Sequence, residues 1–540
     1  MAEYHVRAGA AGAGGTLPTL AAAGAIARPG DTVVLHEGVY RELFKPPAGT
    51  TWQAAEGERA TIDGGWKGQR MSSADAKVNQ VLINQPDVTL MGLEICNVPG
   101  YGVGVAGGVN NFVMVGCEIH HTVNSGYHAN GTGTRIRGVT IEDCYLHHLS
   151  MSGLWQETPV SGCFLHRYVI GLKVKNTRVR FGYGEGFALG PFTEDAEVEV
   201  WVEDTAHLGI YASNRAKNVR FHNCVIIQRG LAEWRQGDGD VGAGFIIGDE
   251  VAGDKTANWP HGDNIIIEEC LTLNAGAGVG VRNNKKVRNG EPDGYDTRGG
   301  FIVRRCTFIA GPDSKSGVAV AENQFGAKVK GAFRNNLFIN DRLPAGGEAL
   351  KNNASGVEFI DNLWSGGMPA GLPASNQAIA ASALVAPFAT IGETVNLDNY
   401  RPQRGGPLDG AGYGALGVAD EPPVDPPPPP PPDPEPEPLD RAALLERVAA
   451  AAEQLAVIHM ATETAIDEVA ALLGMLAEEE PSTAPSTPST TSPSATPPVS
   501  RPVPINEDTP ERQLQRTEQM GLLDPWSSDM ESSDMGTAQS

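Results

Sequence analysis

Three groups of side chains carry types and spacings that suggest chemistry. His120, His147 and His166 each stand three residues after a cysteine (Cys117, Cys144 and Cys163), and His121, His148 and Arg167 follow them directly. Imidazoles repeated in one frame can hold a divalent metal or move protons near neutral pH. A partly buried stacking column is the plainer reading of the same pattern. The second group lies in two loop-like stretches. Residues 228–241 carry Trp234, Arg235, Asp238 and Asp240, and residues 249–263 carry Trp259, His261 and Asp263. Trp234, Trp259 and Arg235 have the chemistry to hold sugar rings and hydroxyls, and Asp238, Asp240, His261 and Asp263 are the catalytic candidates for acid/base hydrolysis. Ordinary polar loops with two packing tryptophans would read the same way. The third group is Lys173, Lys175, Arg178 and Arg180 with Glu185 nearby, a pattern that alternating outward charges on a strand also produce.

These groups meet only if the chain stacks its short segments. A frame recurs: a run of β-formers, then Cys, one residue, and an apolar residue. It appears around Cys117, Cys144, Cys163, Cys224, Cys270 and Cys306, and continues with Asn at Asn336 and Asn362. A second short run opens on Gly at Gly102, Gly126, Gly153, Gly171, Gly186, Gly209, Gly278 and Gly317. Between Cys163 and Cys224, Gly184 and Thr205 are expected to fill the missing positions. Short β-runs at a period of roughly 20 residues, with no helical pattern between them, imply coils whose strands pair in parallel. The cysteines then form an inward column in which Asn or Thr can substitute. In the histidine column the later coils place Ile227, Leu273, Ile309 and Ile339. The expected fold is all-β, a right-handed parallel β-helix.

Residues 15–40 read as a short apolar helix, a Pro29-Gly30 turn, a strand from Thr32, and a Gly38-Val39-Tyr40 turn. An open solenoid end needs such a lid over its core and unpaired backbone. This stretch resembles the opening of pectate-lyase-like right-handed β-helix proteins, and the repeats extend the resemblance to Trp364. The resemblance implies a fold that hosts lyases, hydrolases, epimerases and non-catalytic spikes. For the lyases it implies a Lys or Arg base, often with calcium held by acidic residues. The glycosidase branch implies Asp-Asp and Gly-His-Gly motifs. The chain contains neither, so no catalytic residue carries over.

The formal charge of −24 is unevenly spread, with 23 acidic and 5 basic side chains from Asp420 onward. The body lacks the basic balance that phosphate backbones demand, so nucleic acid is not an expected partner. No apolar run reaches the length of a membrane span, and the N-terminus has no signal-peptide pattern. Seven cysteines without a CxxC pair support neither a disulfide framework nor a zinc site. Residues 421–438 form a Pro-rich linker. Residues 439–480 carry helical apolar spacing on a face wide enough to oligomerise the chain, or alternatively to dock back on the body. Residues 481–540 have the composition of a disordered tail. The expected domains are a cap at 1–29, the β-helix at 30–370, an irregular C-terminal cap at 371–420, and these three attachments. The assembly looks like a minor tail protein of a phage infecting high-GC actinobacteria. That resemblance implies residence in the virion, with other virion proteins and a cell-surface polysaccharide as partners; no cofactor is expected, calcium being the one candidate and only through the lyase resemblance. A polysaccharide lyase or glycoside hydrolase is the first alternative, and a cytoplasmic β-helix scaffold the second.

Overall fold

Each coil of the chain begins where an apolar run meets the strand laid down one turn earlier. Phe112 lies beside Val139, and the same column continues through Leu172, Ala196, Val219, Ile265, Phe301, Gly331 and Val357. Every one of these pairings is parallel, so each connection must travel round the tube before returning to the same sheet. Such crossovers are right-handed for the twist of L-residues, and the chain is a right-handed parallel β-helix. The computed structural model describes residues 1–415 except 10–15, 72–75, 132, 157–161, 214–215, 236–240, 249–262, 284–299, 323–330 and 352–355. The Pro-rich, helical and tail segments read from the sequence therefore lie outside the described residues.

The coils have three faces. Face A includes Asn110–Val115, Ile136–Glu142 and Lys217–His222. Face B includes Glu94–Val98, Glu118–Thr122, Tyr145–Leu149 and Val225–Ile227. The long strands Val169–Gly182 and Glu194–Thr205 run through both faces and join them in one sheet. Face C is a separate sheet holding Gly100–Ala106, Tyr127–Asn130, Phe164–Arg167 and Glu185–Leu189, among others.

Face C depends on its glycines. A Cβ on Gly102 would stand 2.4 Å from the Gly126 carbonyl oxygen, and one on Gly244 would stand 2.2 Å from that of Gly278. Two expected members of this column sit elsewhere. Gly153 is in the helix Met151–Gln156, and Gly171 is in the face-A part of Val169–Gly182. Gly244, which the repeat did not flag, belongs to it.

The inward column at the start of face B runs through Cys117, Cys144, Thr177, Val200, Cys224, Cys270, Cys306, Asn336 and Asn362, as the flanking registers fix. Thr177 and Val200 fill it, not Gly184 and Thr205. Cys163 is not a member either. It sits at the edge of face C, where its carbonyl accepts from Gly126 N at 2.9 Å. The helix Met151–Gln156 lengthens this turn, so the step from Cys144 to its vertical neighbour Thr177 is 33 residues. All seven cysteines are free and buried. The thiols of Cys224 and Cys306 donate to carbonyls of the coil below, Val198 O at 3.4 Å and Ile267 O at 3.6 Å. Asn336 and Asn362 make the same donation at 2.8 and 2.9 Å, to Val303 O and Phe333 O.

At the N-terminal end the helix Leu20–Ile26 starts on Thr19, whose hydroxyl accepts from Ala22 N. Leu20 and Ala23 pack into the main core, which is how an apolar lid covers a solenoid end. A strand not read from the sequence, Glu3–Val6, pairs with Thr32–Leu35. Tyr40 ties this end together by donating its hydroxyl hydrogen between Val6 O at 2.9 Å and His36 O at 2.7 Å.

Candidate functional site

Outward residues of face B fall into two vertical columns. One runs Thr61, Glu94, Glu118, Tyr145, Arg178, Trp201, Val225, Leu271, Thr307, Leu337 and Leu363. Its neighbour runs Asp63, Cys96, His120, His147, Arg180, Glu203, Ile227, Leu273, Ile309, Ile339 and Ser365. Both change from polar to apolar partway along, and packing explains why. The C-terminal segment lies along face B, with Ala381, Leu384, Tyr400, Leu408 and Ala415 on the side chains from Val225 to Leu363. Its forward edge is clamped: Arg229 donates to Gly392 O at 2.8 Å and Glu393 O at 3.0 Å, and Arg180 pairs with the Glu393 carboxylate. Beyond that edge Arg59, Glu118 and Arg178 are exposed, while Glu94 is buried beneath them.

Beneath the clamp lies a buried charge cluster. Glu203 and Asp204 are 0% and 1% exposed, and Arg229 meets both carboxylates at 2.6 Å. Burial raises Asp204 above its ordinary range, against the opposing pull of Arg229. Arg178 donates to Glu203 at 2.7 Å and lies over the Trp201 and Tyr145 rings. Buried charges persist only when paired in this way.

The histidines occupy the open part. His120 and His147 are in register, with rings stacked at 4.8 Å and 8°. His121 and His148 stack beside them at 4.7 Å and 6°. Two adjacent histidines share the outer face because the second of each pair has φ of 53°. That left-handed bend breaks the strand's alternation, and Asn97, Phe181 and Asp204 repeat it in neighbouring coils. Across each pair Nδ1 faces Nδ1, at 2.6 Å for His120 and His121 and 2.7 Å for His147 and His148. The outer nitrogens meet carboxylates: His120 Nε2 lies 2.9 Å from Glu94, and His147 Nε2 lies 3.0 Å from Glu118.

Burial, and then the neighbouring His121, His147, His120 and Arg180 charges, press His148 down to about 4. Burial and the His120 and His147 charges lower His121. Burial lowers His147 too, against the hydrogen bond to Glu118. Burial alone would raise Glu94, but hydrogen bonds from Arg59, Thr61 and His120 outweigh it and hold the carboxyl at about 2. The ladder is therefore neutral at pH 7 in at least His121, His147 and His148, beside an ionised Glu94.

His166, expected in this column, is not there. It lies on face C between Ala129 and Leu189, fully buried among Tyr127, Phe164 and Phe187. Burial and the His128 charge lower it to about 3. The misplacement follows from Cys163: a run that mimics the frame belongs to another sheet. The basic group also divides. Lys173 and Lys175 lie on face A, Arg178 and Arg180 on face B, and Glu185 on face C against His207 at 3.4 Å.

Of the two loops, residues 236–240 and 249–262 lie outside the described residues, and with them Asp238, Asp240, Trp259 and His261. Asp263 opens a face-A strand beside Lys217. Trp234 is 5% exposed and stacks on Phe181 at 5.3 Å and against His148 at 5.9 Å. Its ring is thus a wall of the histidine corner instead of a free platform for a sugar. Arg235 pairs with Asp313 at 2.7 Å. The sequence reading missed Glu94, Glu118, Tyr145 and the Glu203–Arg229 cluster. On the strands the only signal was alternation opposite inward apolar residues, which any exposed strand shares, and Arg229, past the end of Val225–Ile227, gave none.

No family model matches the chain, and no curated protein does. Solved structures do resemble it. A pectate lyase is 15% identical with a TM-score of 0.41, over 75% of this chain and 88% of its own. The catalytic unit of a thermostable α-1,3-glucanase from Streptomyces thermodiastaticus is 14% identical with a TM-score of 0.41, over 67% of this chain and 64% of its own. An alginate lyase from a Paenibacillus species is 13% identical with a TM-score of 0.36, over 66% and 99%. By its own strand register the chain is a right-handed parallel β-helix.

Proposed function

We propose that this chain is a glycan-contacting β-helix, borne on the tail of a phage that infects actinobacteria, and that the open strip of face B is its contact surface. The observation that carries the reading is the division of face B. The C-terminal segment covers the apolar coils and stops at Glu393. Glu94, Glu118, Tyr145 and Arg178 stand in register ahead of that edge, with His147 in the neighbouring column and Arg59 paired to Glu94. A row of aromatic, cationic and carboxylate groups spaced by about 4.8 Å along the axis suits a linear polymer of hydroxylated rings. The tail assignment rests on the sequence's Pro-rich linker, helical segment and acidic end.

A polysaccharide-cleaving enzyme is the second reading. It is favoured by His147, Tyr145 and Arg178 standing together beside Glu118, groups able to move protons. Incubating the full-length protein with actinobacterial cell-wall glycans, with and without calcium, separates the two. Retention of glycan without new reducing or unsaturated ends is expected. Release of such ends gives the enzyme reading instead, and neither retention nor release refutes both.

A further inference from the structure

We propose that His121, His147 and His148, with His120 stacked alongside, form a first-row transition-metal site, taking Zn2+, Ni2+ or Cu2+ through ring nitrogens. The site stands on geometry independent of whether face B binds glycan. Ionised carboxylates only accept hydrogen bonds, so the contacts of Glu94 and Glu118 place the ring hydrogens of His120 and His147 on Nε2. In the neutral ring of His147 the Nδ1 lone pair then points inward, at His148. A carboxylate behind the outer nitrogen of a metal-binding histidine is the arrangement that fixes tautomer and ring orientation in metal sites. In the ion-free protein, His121 and His148 donate from Nδ1 across the 2.6 and 2.7 Å contacts. Moving that hydrogen to Nε2 frees both nitrogens for an ion without releasing a proton.

The distances fit. Ligand nitrogens of His121, His147 and His148 lie within 4.8 Å of one another. Tetrahedral bonds of about 2.0–2.1 Å call for separations of roughly 3.3 Å, which lies between the 2.7 Å His147–His148 contact and that 4.8 Å span. The nitrogen-only donor set favours Zn2+, Ni2+ and Cu2+ over Ca2+ or Mg2+, which take oxygen ligands.

The test uses the full chain without an added histidine tag, titrated calorimetrically with Zn2+, Ni2+ and Ca2+, and with Cu2+ under electron paramagnetic resonance. One equivalent of Zn2+ or Ni2+ should bind, Ca2+ should not compete, and the Cu2+ spectrum should show imidazole nitrogen splitting. In His121→Asn/His148→Asn, where Asn suits the left-handed backbone as Asn97 does one coil earlier, binding should fall at least 100-fold. In Glu118→Gln it should fall about 10–100-fold while the circular dichroism spectrum is unchanged. Absence of stoichiometric binding overturns the proposal. So does binding that survives the double substitution, which would place the ion elsewhere, such as at the His5–His36 contact.

Discussion

The Asn column at the C-terminal end of the tube offers a sharp test of how the coils are held in register. Asn362 is fully buried. Its Oδ1 accepts from both the backbone N and Nδ2 of Asn336, each at 3.0 Å, and its Nδ2 donates to Phe333 O at 2.9 Å. In Asn362→Ala, the Asn336 amide and the Phe333 carbonyl lose these partners inside a core that water does not reach. Each buried group left unsatisfied costs about 1–3 kcal/mol, so the substitution should cost about 2–6 kcal/mol. Asn362→Cys should cost less than Asn362→Ala, because in other coils Cys thiols donate to the same carbonyl position. Denaturant unfolding followed by circular dichroism measures the cost, and amide exchange at Asn336 localises it. The reasoning fails if Ala costs under about 1 kcal/mol, or if Cys is as damaging as Ala.

Three further outcomes follow from other parts of the tube. Arg229→Met leaves Glu203 and Asp204 short of a buried counter-charge, so stability should fall by about 3–5 kcal/mol. It also removes two bonds to the C-terminal segment, which limited proteolysis should then cut sooner within 385–415. Folded His148 and His128 titrate at about 4 and His166 at about 3, against 6.5 for an ordinary imidazole. The unfolded chain thus binds more protons between those values, so stability is fully present above about pH 6.5 and is lost as pH falls through 4 toward 3. Midpoints of unfolding across that range should show the slope, and His166→Phe should make it shallower. Gly244→Ala drives a Cβ into the Gly278 carbonyl and should destabilise by at least about 1–3 kcal/mol. Gly300→Ala, where no atom of the described residues lies within 4 Å of the new Cβ, should melt like the parent.

Much of the tube was legible in the chain because a solenoid repeats its demands. Each coil needs small or hydrogen-bonding residues at the same inward position, so Cys117, Cys144, Cys224, Cys270, Cys306, Asn336 and Asn362 announced the column. The second run announced the glycines of face C for the same steric reason. Turn length broke the reading. Between Cys144 and Thr177 the helix Met151–Gln156 adds residues without adding a coil, and Cys163 with His166 imitates the frame on a different sheet. Local sequence sets which residues face inward along a strand, since alternation is a property of the backbone. It does not set which strand lies beside which, since that depends on how much chain each turn consumes. The pairing of His120 with His147, the carboxylates of Glu94 and Glu118 behind them, and the reach of the C-terminal segment as far as Arg180 and Arg229 are contacts between distant coils. Only the closed tube, with its register complete, brings those groups together.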